Sequence, residues 1–344
     1  MSNPKFDRRR LLAAAAGTGL ALLSGLRPAM AAPEVRNVKI TQAVASLAFI
    51  QNYIAQSQGF FKDAGLDVEI IVTQGGGNDV KAVLSGDAAF TANDGAQVIP
   101  AFVRGQKLIC VLALLNRNII NVSMATTVAT RLGVSGKDPI AARLAKLRGL
   151  KIGVTAPGAL TWQIARFNLA KAGLNPDTDA TIVALGGGAA VGAALEKGDV
   201  DVIYISVPIG ERIVSGGKAI TYIDNASGDD PHMPSFMMEG LWALPQFIEK
   251  NPGTVKAMVS ALQRASVFVA TSPVDRIVDA LRPALGPMGD ALLRLGVEKV
   301  RSAVATSGRF TQADLDVTQG VLSVNKIISQ TVALRDIFDG RFLA

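Results

Sequence analysis

Residues 72–90 read VTQGGGNDVKAVLSGDAAF, and residues 183–202 read VALGGGAAVGAALEKGDVDV. Each stretch has an apolar strand-like end, three glycines, a helix of small residues, a Gly-Asp turn and a second apolar strand start. Aligned on their glycines, the second copy carries one inserted residue, just before Gly198-Asp199. The match extends upstream: Ala64-Gly65-Leu66 precedes the first copy and Ala172-Gly173-Leu174 the second, with strand-like KITQA (39–43) and KIGVT (151–155) further back. A period of roughly 110 residues is too long for a solenoid repeat. It fits a duplicated α/β lobe whose glycine turns face a shared cleft, the architecture of a hinge-closing binding protein.

Residues 1–31 read as an export signal rather than as fold. Asp7-Arg8-Arg9-Arg10 puts a twin arginine before an apolar run over 11–23, and Ala29-Met30-Ala31 is a small-x-small cleavage site. That is the plan of a twin-arginine signal cleaved near Ala31, which places the mature chain in the periplasm. The alternative, a retained anchor, has an apolar run shorter than the roughly 20 residues that span a bilayer. The 344-residue chain carries a formal net charge of +7, but five Lys/Arg and one Asp fall in residues 1–31, so the remainder is near +3. Its basic residues are dispersed, which argues against nucleic acid as a partner. With 49% hydrophobic and 18% charged residues, the composition is that of a well-buried globular chain. The single cysteine, Cys110, lies in an apolar run and has no intramolecular disulfide partner. A freely diffusing monomer is expected.

Further along, strand-like runs alternate with helices of roughly 8–15 residues, which predicts βαβ units. Asn78 or Asp79 is expected to cap a helix over 80–84, and Asn93-Asp94-Gly95 to open the next one. Residues 122–128 read as a strand at the first hinge, and residues 225–234 (NASGDDPHMP) as a loop. Beyond that loop the pattern turns helical. The fold class is therefore α/β: two similar lobes with mainly parallel sheets around a ligand cleft, and a helical C-terminal tail packed on lobe 1. The first lobe is discontinuous, taking in 32–121 and 235–344, and the second takes in 122–234.

Catalytic chemistry has little to stand on. His232 is the one histidine, set in a loop, and there is no Gly-x-Ser-x-Gly elbow, HExxH or paired CxxC. Asp224, Asp229 and Asp230 fit no calcium pattern and read as a polar surface turn. Residues 186–192 (GGGAAVG) nearly match a dinucleotide fingerprint, but Val191 stands where the third glycine belongs and Asp201 comes early. No cofactor and no metal site are expected. The same turns serve binding better. A strand, a tight glycine turn and a helix start aim free N–H groups and a helix dipole at the cleft. Candidate ligand-binding residues are Ser46, Phe49, Gly76, Gly77, Asn78, Asn93 and Asp94 from the first lobe. The second lobe contributes Gly158, Ala159, Thr161, Trp162 and Ser206. Thr161 offers a hydroxyl and Trp162 an apolar wall; all fall just after strand ends, where open α/β sheets bind ligands.

GFFKDAGLDVE (59–69), the first glycine run, SGDA (85–88), KIGVTAPG (151–158), LEKGDVD (195–201) and DIFDGRFL (336–343) carry a resemblance over essentially the whole mature chain. The sequence resembles the periplasmic substrate-binding proteins of ABC importers, in the nitrate/sulfonate/taurine and thiamine-precursor group, with the type II periplasmic-binding fold. The resemblance implies a ligand between the lobes, at residues 46–49, 75–78, 93–94, 157–162 and 206–208, and a membrane permease with its ATPase as partners. It implies binding without catalysis. The expected cargo is a small organic anion: a sulfonate, nitrate, a taurine-like solute or an aromatic carboxylate. The alternatives are a pyrimidine or thiamine-precursor ligand, a biosynthetic protein on the same fold, and a sensor or adaptor. Two departures bear on the cargo. Asp94 would repel an anion unless it caps the helix, and no arginine stands among the implied positions.

Overall fold

The computed structural model describes residues 32–73 and 76–343, so the export-signal reading lies outside the described residues. Among the described residues ten strands run in chain order: β1 Asn37–Gln42, β2 Asp67–Val72, β3 Phe90–Asn93, β4 Ile109–Leu115, β5 Ile120–Ala125, β6 Lys151–Val154, β7 Thr181–Ala184, β8 Val202–Ser206, β9 Ala219–Ile223 and β10 Glu239–Ala243. They form two five-stranded sheets, ordered β2-β1-β3-β10-β4 and β7-β6-β8-β5-β9. In each, four strands run one way and one inserted strand, β10 or β5, runs against both neighbours.

The two sheets share a numerical frame. Ile40 pairs with Ile70 and Phe90, while Ile152 pairs with Ile182 and Val202. The spacing from each first strand to its two partners is identical in the lobes, so one constant offset, that from Ile40 to Ile152, relates the copies throughout. The helices that follow, Gly76–Ser85 and Gly188–Lys197, keep that offset. No residue is inserted before Gly198. The glycine runs themselves are out of step by one, so the first helix begins on its second glycine and the second helix on its third. Asn78 and Asp79 accordingly lie inside the first turn rather than ahead of the helix.

Two elements differ from the sequence reading. Residues 126–128 open the helix Thr126–Leu132 instead of extending β5; their β-branched side chains made them read as strand. Strand β10 falls between the expected loop 225–234 and the first helix expected in the tail, where no strand was expected. All five of its residues are buried, so no alternation marks it as a strand. Gly240 within it is demanded by packing, since a Cβ there would lie 2.8 Å from Cys110 Sγ. Cys110 itself is fully buried in β4, and burial pushes its thiol far above the usual range.

The chain crosses between sheets twice, over residues 116–119 and 224–238, and the crossings are bonded to each other. Phe236 N donates to Asn116 O (3.0 Å), Asn225 Nδ2 to Ile120 O (2.7 Å) and Ala226 N to Asn121 Oδ1 (3.1 Å). The tail packs on lobe 1 through the helix Pro252–Thr271, which lies on the helix Ile50–Ser57 and on β4. It also reaches lobe 2. Lys299 Nζ pairs with Asp224 at 2.5 Å, and Asn325 Nδ2 donates to Gln163 O at 3.0 Å.

The acidic loop is bonded into the fold rather than standing as a solvated turn. Asp230 is fully buried and accepts from His232 N at 2.9 Å. Asp229 receives both terminal nitrogens of Arg143, at 2.5 and 2.7 Å. Arg143 is only 4% exposed and donates to Tyr222 O, whose own hydroxyl returns to Arg143 O, each at 2.6 Å. Arg143 holds the Asp229 carboxyl below the usual range. Asp229→Ala strands the guanidinium and should cost about 2–4 kcal/mol, read as a lower melting temperature at pH 7. A lowered folded-state pKa gives stability above the unfolded carboxyl pKa and loses it as pH falls through the folded value. The gap between wild type and variant should therefore close in acid.

Candidate functional site

The candidate residues lie at the carboxyl ends of the strands, and each lobe builds its edge differently. In lobe 1 the loop after β1 turns at Ser46, whose hydroxyl accepts from Ala48 N at 3.3 Å. Phe49 points into the core and is 4% exposed, so it is a packing residue rather than a cleft wall. Behind this loop lies a buried amide network absent from the sequence reading. Asn52 Nδ2 donates to Gln42 Oε1 (3.0 Å), and Gln42 Nε2 donates to Val44 O (2.9 Å) and to the Tyr53 hydroxyl. Gly76 opens the following helix; Gly77 and Asn78 are exposed on its first turn, with Asn78 Nδ2 bonded back to Thr73 O at 3.2 Å.

Three carboxyls define this face. Asp79 is fully buried on the first turn of Gly76–Ser85 and accepts from Thr73 Oγ1 at 2.6 Å. Asp94 caps the helix Gly95–Val103, accepting from Gln97 N at 2.9 Å, while Asn93 Oδ1 accepts from Asp94 N at 2.9 Å. Glu239 is 4% exposed, and because Gly240 registers with Asn93, Glu239 comes beside Asp94. Burial pushes Asp79 up to about 7. Burial likewise raises Asp94 to about 7, with the charge of Asp79 adding to it. Burial, then the charges of Asp94 and Asp79, hold Glu239 well above the carboxylate range. Asp94 and Asn93 are sequence-predicted candidates. Asp79 and Glu239 are not, since one read as a helix cap and the other lay in the missed strand.

Lobe 2 presents uncapped helix starts, with one acid, Glu211, on the first turn of the helix Ile209–Ser215, where it accepts from Asn121 Nδ2 at 2.7 Å. Gly158 needs its left-handed φ of +76° to turn the chain into the helix Leu160–Lys171. Ala159 precedes that helix with no side-chain cap, and Gly187 does the same for Gly188–Lys197. Thr161 spends its hydroxyl locally, accepting from Thr155 N at 3.1 Å and sharing a hydrogen bond with Thr155 Oγ1 at 2.8 Å. Trp162 is half-buried with the Arg166 guanidinium 4.5 Å over its ring. Ser206, half-buried, ends β8 opposite Ile120.

Gly296 shows where the two edges meet. A Cβ on this residue of the helix Asp290–Arg301 would stand 2.1 Å from Leu47 Cδ1 of lobe 1 and 3.1 Å from Pro208 Cγ of lobe 2. The loop holding Ser46 and Phe49 and the turn after Ser206 therefore converge on one helix face. Among the described residues no three His, Cys, Asp or Glu side chains are arranged to hold a metal ion.

A family model described as NMT1/THI5 like matches residues 47–275. The chain belongs to the NMT1/THI5-like family. A curated relative, "Putative binding protein YtlA" of Bacillus subtilis (strain 168), is 22% identical over 268 residues, 77% of this chain and 75% of that one. A solved protein of Bordetella bronchiseptica RB50 is 25% identical, with a TM-score of 0.73 over 90% of this chain and 96% of its own. The periplasmic aliphatic sulphonate binding protein SsuA of Escherichia coli shares the fold at 15% identity and a TM-score of 0.68, covering 88% and 92%. So does the desulfurization enzyme DSZB, at 17% identity and a TM-score of 0.61, covering 90% and 97%. The two-lobe α/β fold of this family is thus common to binding proteins and to an enzyme.

The carboxyl cluster has a measurable signature. A carboxyl whose folded pKa is raised takes up protons on folding, so its contribution falls as pH rises between its unfolded value, 3.8 for Asp, and about 7. Glu239→Gln removes one buried titratable carboxyl without changing shape. It should raise stability by about 1–3 kcal/mol at pH 8 and by much less at pH 5, measured by thermal or urea unfolding at the two pH values.

Proposed function

We propose that the chain is an extracytoplasmic solute-binding protein that captures a small organic molecule between its lobes and delivers it to an ABC importer, with a permease and an ATPase as partners. The observation that carries this reading is the convergence of Leu47 and Pro208 on Gly296, which brings the strand ends of both lobes to one place. The first lobe is taken as 32–121 with 235–344, and the second as 122–234, moving about the paired crossings. Ligand contacts made only when the lobes close would shift the open–closed equilibrium. The uncapped helix starts after Ala159 and Gly187 offer N–H donors to an acceptor group on the solute.

The chemistry of the residues favours binding over turnover. The one cysteine is sealed in β4, and the one histidine is bonded to Asp230 in the second crossing. Neither occupies the meeting point of the two edges. A thermal-shift screen of the purified protein against small organic cations, anions and neutral solutes tests the reading. A solute at about 100 times its dissociation constant should add about 2.7 kcal/mol of stability and be recovered chemically unchanged. Conversion of the bound solute to a product, or no saturable binder in any class, contradicts it.

A further inference from the structure

On the binding-protein reading above, we infer that the lobe-1 face takes a cationic nitrogen group, an amidinium, guanidinium or ammonium, so that the cargo is not a simple sulfonate or nitrate. Asp79, Asp94 and Glu239 arrive from three separate elements, a helix first turn, a helix cap and strand β10. Each lies within the electrostatic reach of another. Glu239 Oε2, on a residue 4% exposed, has no hydrogen-bond partner, whereas the fully buried Asp79 accepts from Thr73 Oγ1 and has the Thr41 hydroxyl beside it. A buried carboxylate oxygen without a donor is costly, because desolvation removes water's hydrogen bonds and nothing replaces them. A cationic N–H group answers both needs, donating to Glu239 Oε2 and offsetting the negative charge that Asp94 and Asp79 add beside it.

An anion meets the opposite field. The lobe-1 helix starts that would receive it are already answered by acids, Asp79 within the first turn of Gly76–Ser85 and Asp94 as the cap of Gly95–Val103. The carboxyl ends of β1 and β2 also carry exposed apolar side chains. Val44, just past β1, and Val72, the last residue of β2, are 45% and 38% exposed. An aromatic cation such as benzamidinium combines both features.

Isothermal titration of the full protein at pH 8 with benzamidine, agmatine and choline, and in parallel with ethanesulfonate, nitrate and benzoate, tests the assignment. At least one cation should bind saturably, and Glu239→Gln should weaken it at least tenfold. Asp94→Asn, which keeps the helix cap, should weaken it similarly. Circular dichroism and melting temperature of the unliganded variants, at or above wild type, separate this loss from misfolding. Saturable binding of an anion with none of a cation overturns the inference and leaves the binding-protein reading standing. Cation binding that neither substitution alters also overturns it. Binding of no member of either set overturns the inference and counts against the reading as well.

Discussion

Each sheet is completed by a strand that arrives from the other lobe. β5 leaves β4 across residues 116–119 and inserts between β8 and β9; β10 leaves β9 across residues 224–238 and inserts between β3 and β4. Because the inserted strand runs against its neighbours, both crossings sit at the carboxyl ends of the remaining strands. Backbone and amide bonds lock the crossings side by side, among them Phe236 N to Asn116 O at 3.0 Å. The lobes share one connecting region, and the loop-rich edges of the two sheets must face each other there. That is where open α/β sheets leave backbone donors and helix starts for ligands.

The two duplicated helices are unlike in charge, although the strand registers of their sheets coincide. The offset that carries Ile40 onto Ile152 also carries Asp79 onto Val191, so the duplicated helix holds an acid in one lobe and an apolar residue in the other. Gly188 and Gly192 of the second copy pack closely on Ile209, with a Cβ at 188 lying 2.3 Å from Ile209 Cδ1. The second glycine turn thus serves helix packing as well as the turn itself. The first lobe instead concentrates carboxyls whose pKa values are raised by burial, with the charge of Asp79 adding at Asp94 and the charges of Asp94 and Asp79 adding at Glu239. A solute presenting a cation to one face and an acceptor to the other would match both.

The architecture was legible wherever hydrophobic period and turn chemistry agreed. The glycine runs, the Gly-Asp turns and the strand-like KIGV all marked βαβ units, and Asp94 marked a helix start. Three features were hidden. Strand β10 is buried on both faces and carries no alternation, so Glu239 stood in a stretch where no strand was expected. Asp79 resembles a cap when the helix is started after the last glycine, whereas the helix begins at Gly76. Phe49 and Thr161 read as cleft residues from position alone; packing buries the first, and Thr155 engages the hydroxyl of the second. Position after a strand is set by sequence, but the direction of a side chain is set by its partners from distant segments, as with Trp242 Nε1 donating to Asn93 O at 2.8 Å.

Capture between the lobes is tested most directly by hydrogen–deuterium exchange of the protein with and without a saturating solute. Binding at the facing edges requires new protection in both lobes together, at residues 93–97 and 239–240 on one side and 159–163 and 206–208 on the other. Protection confined to one lobe, or spread along the outer strands β2 and β7, would contradict a site between them.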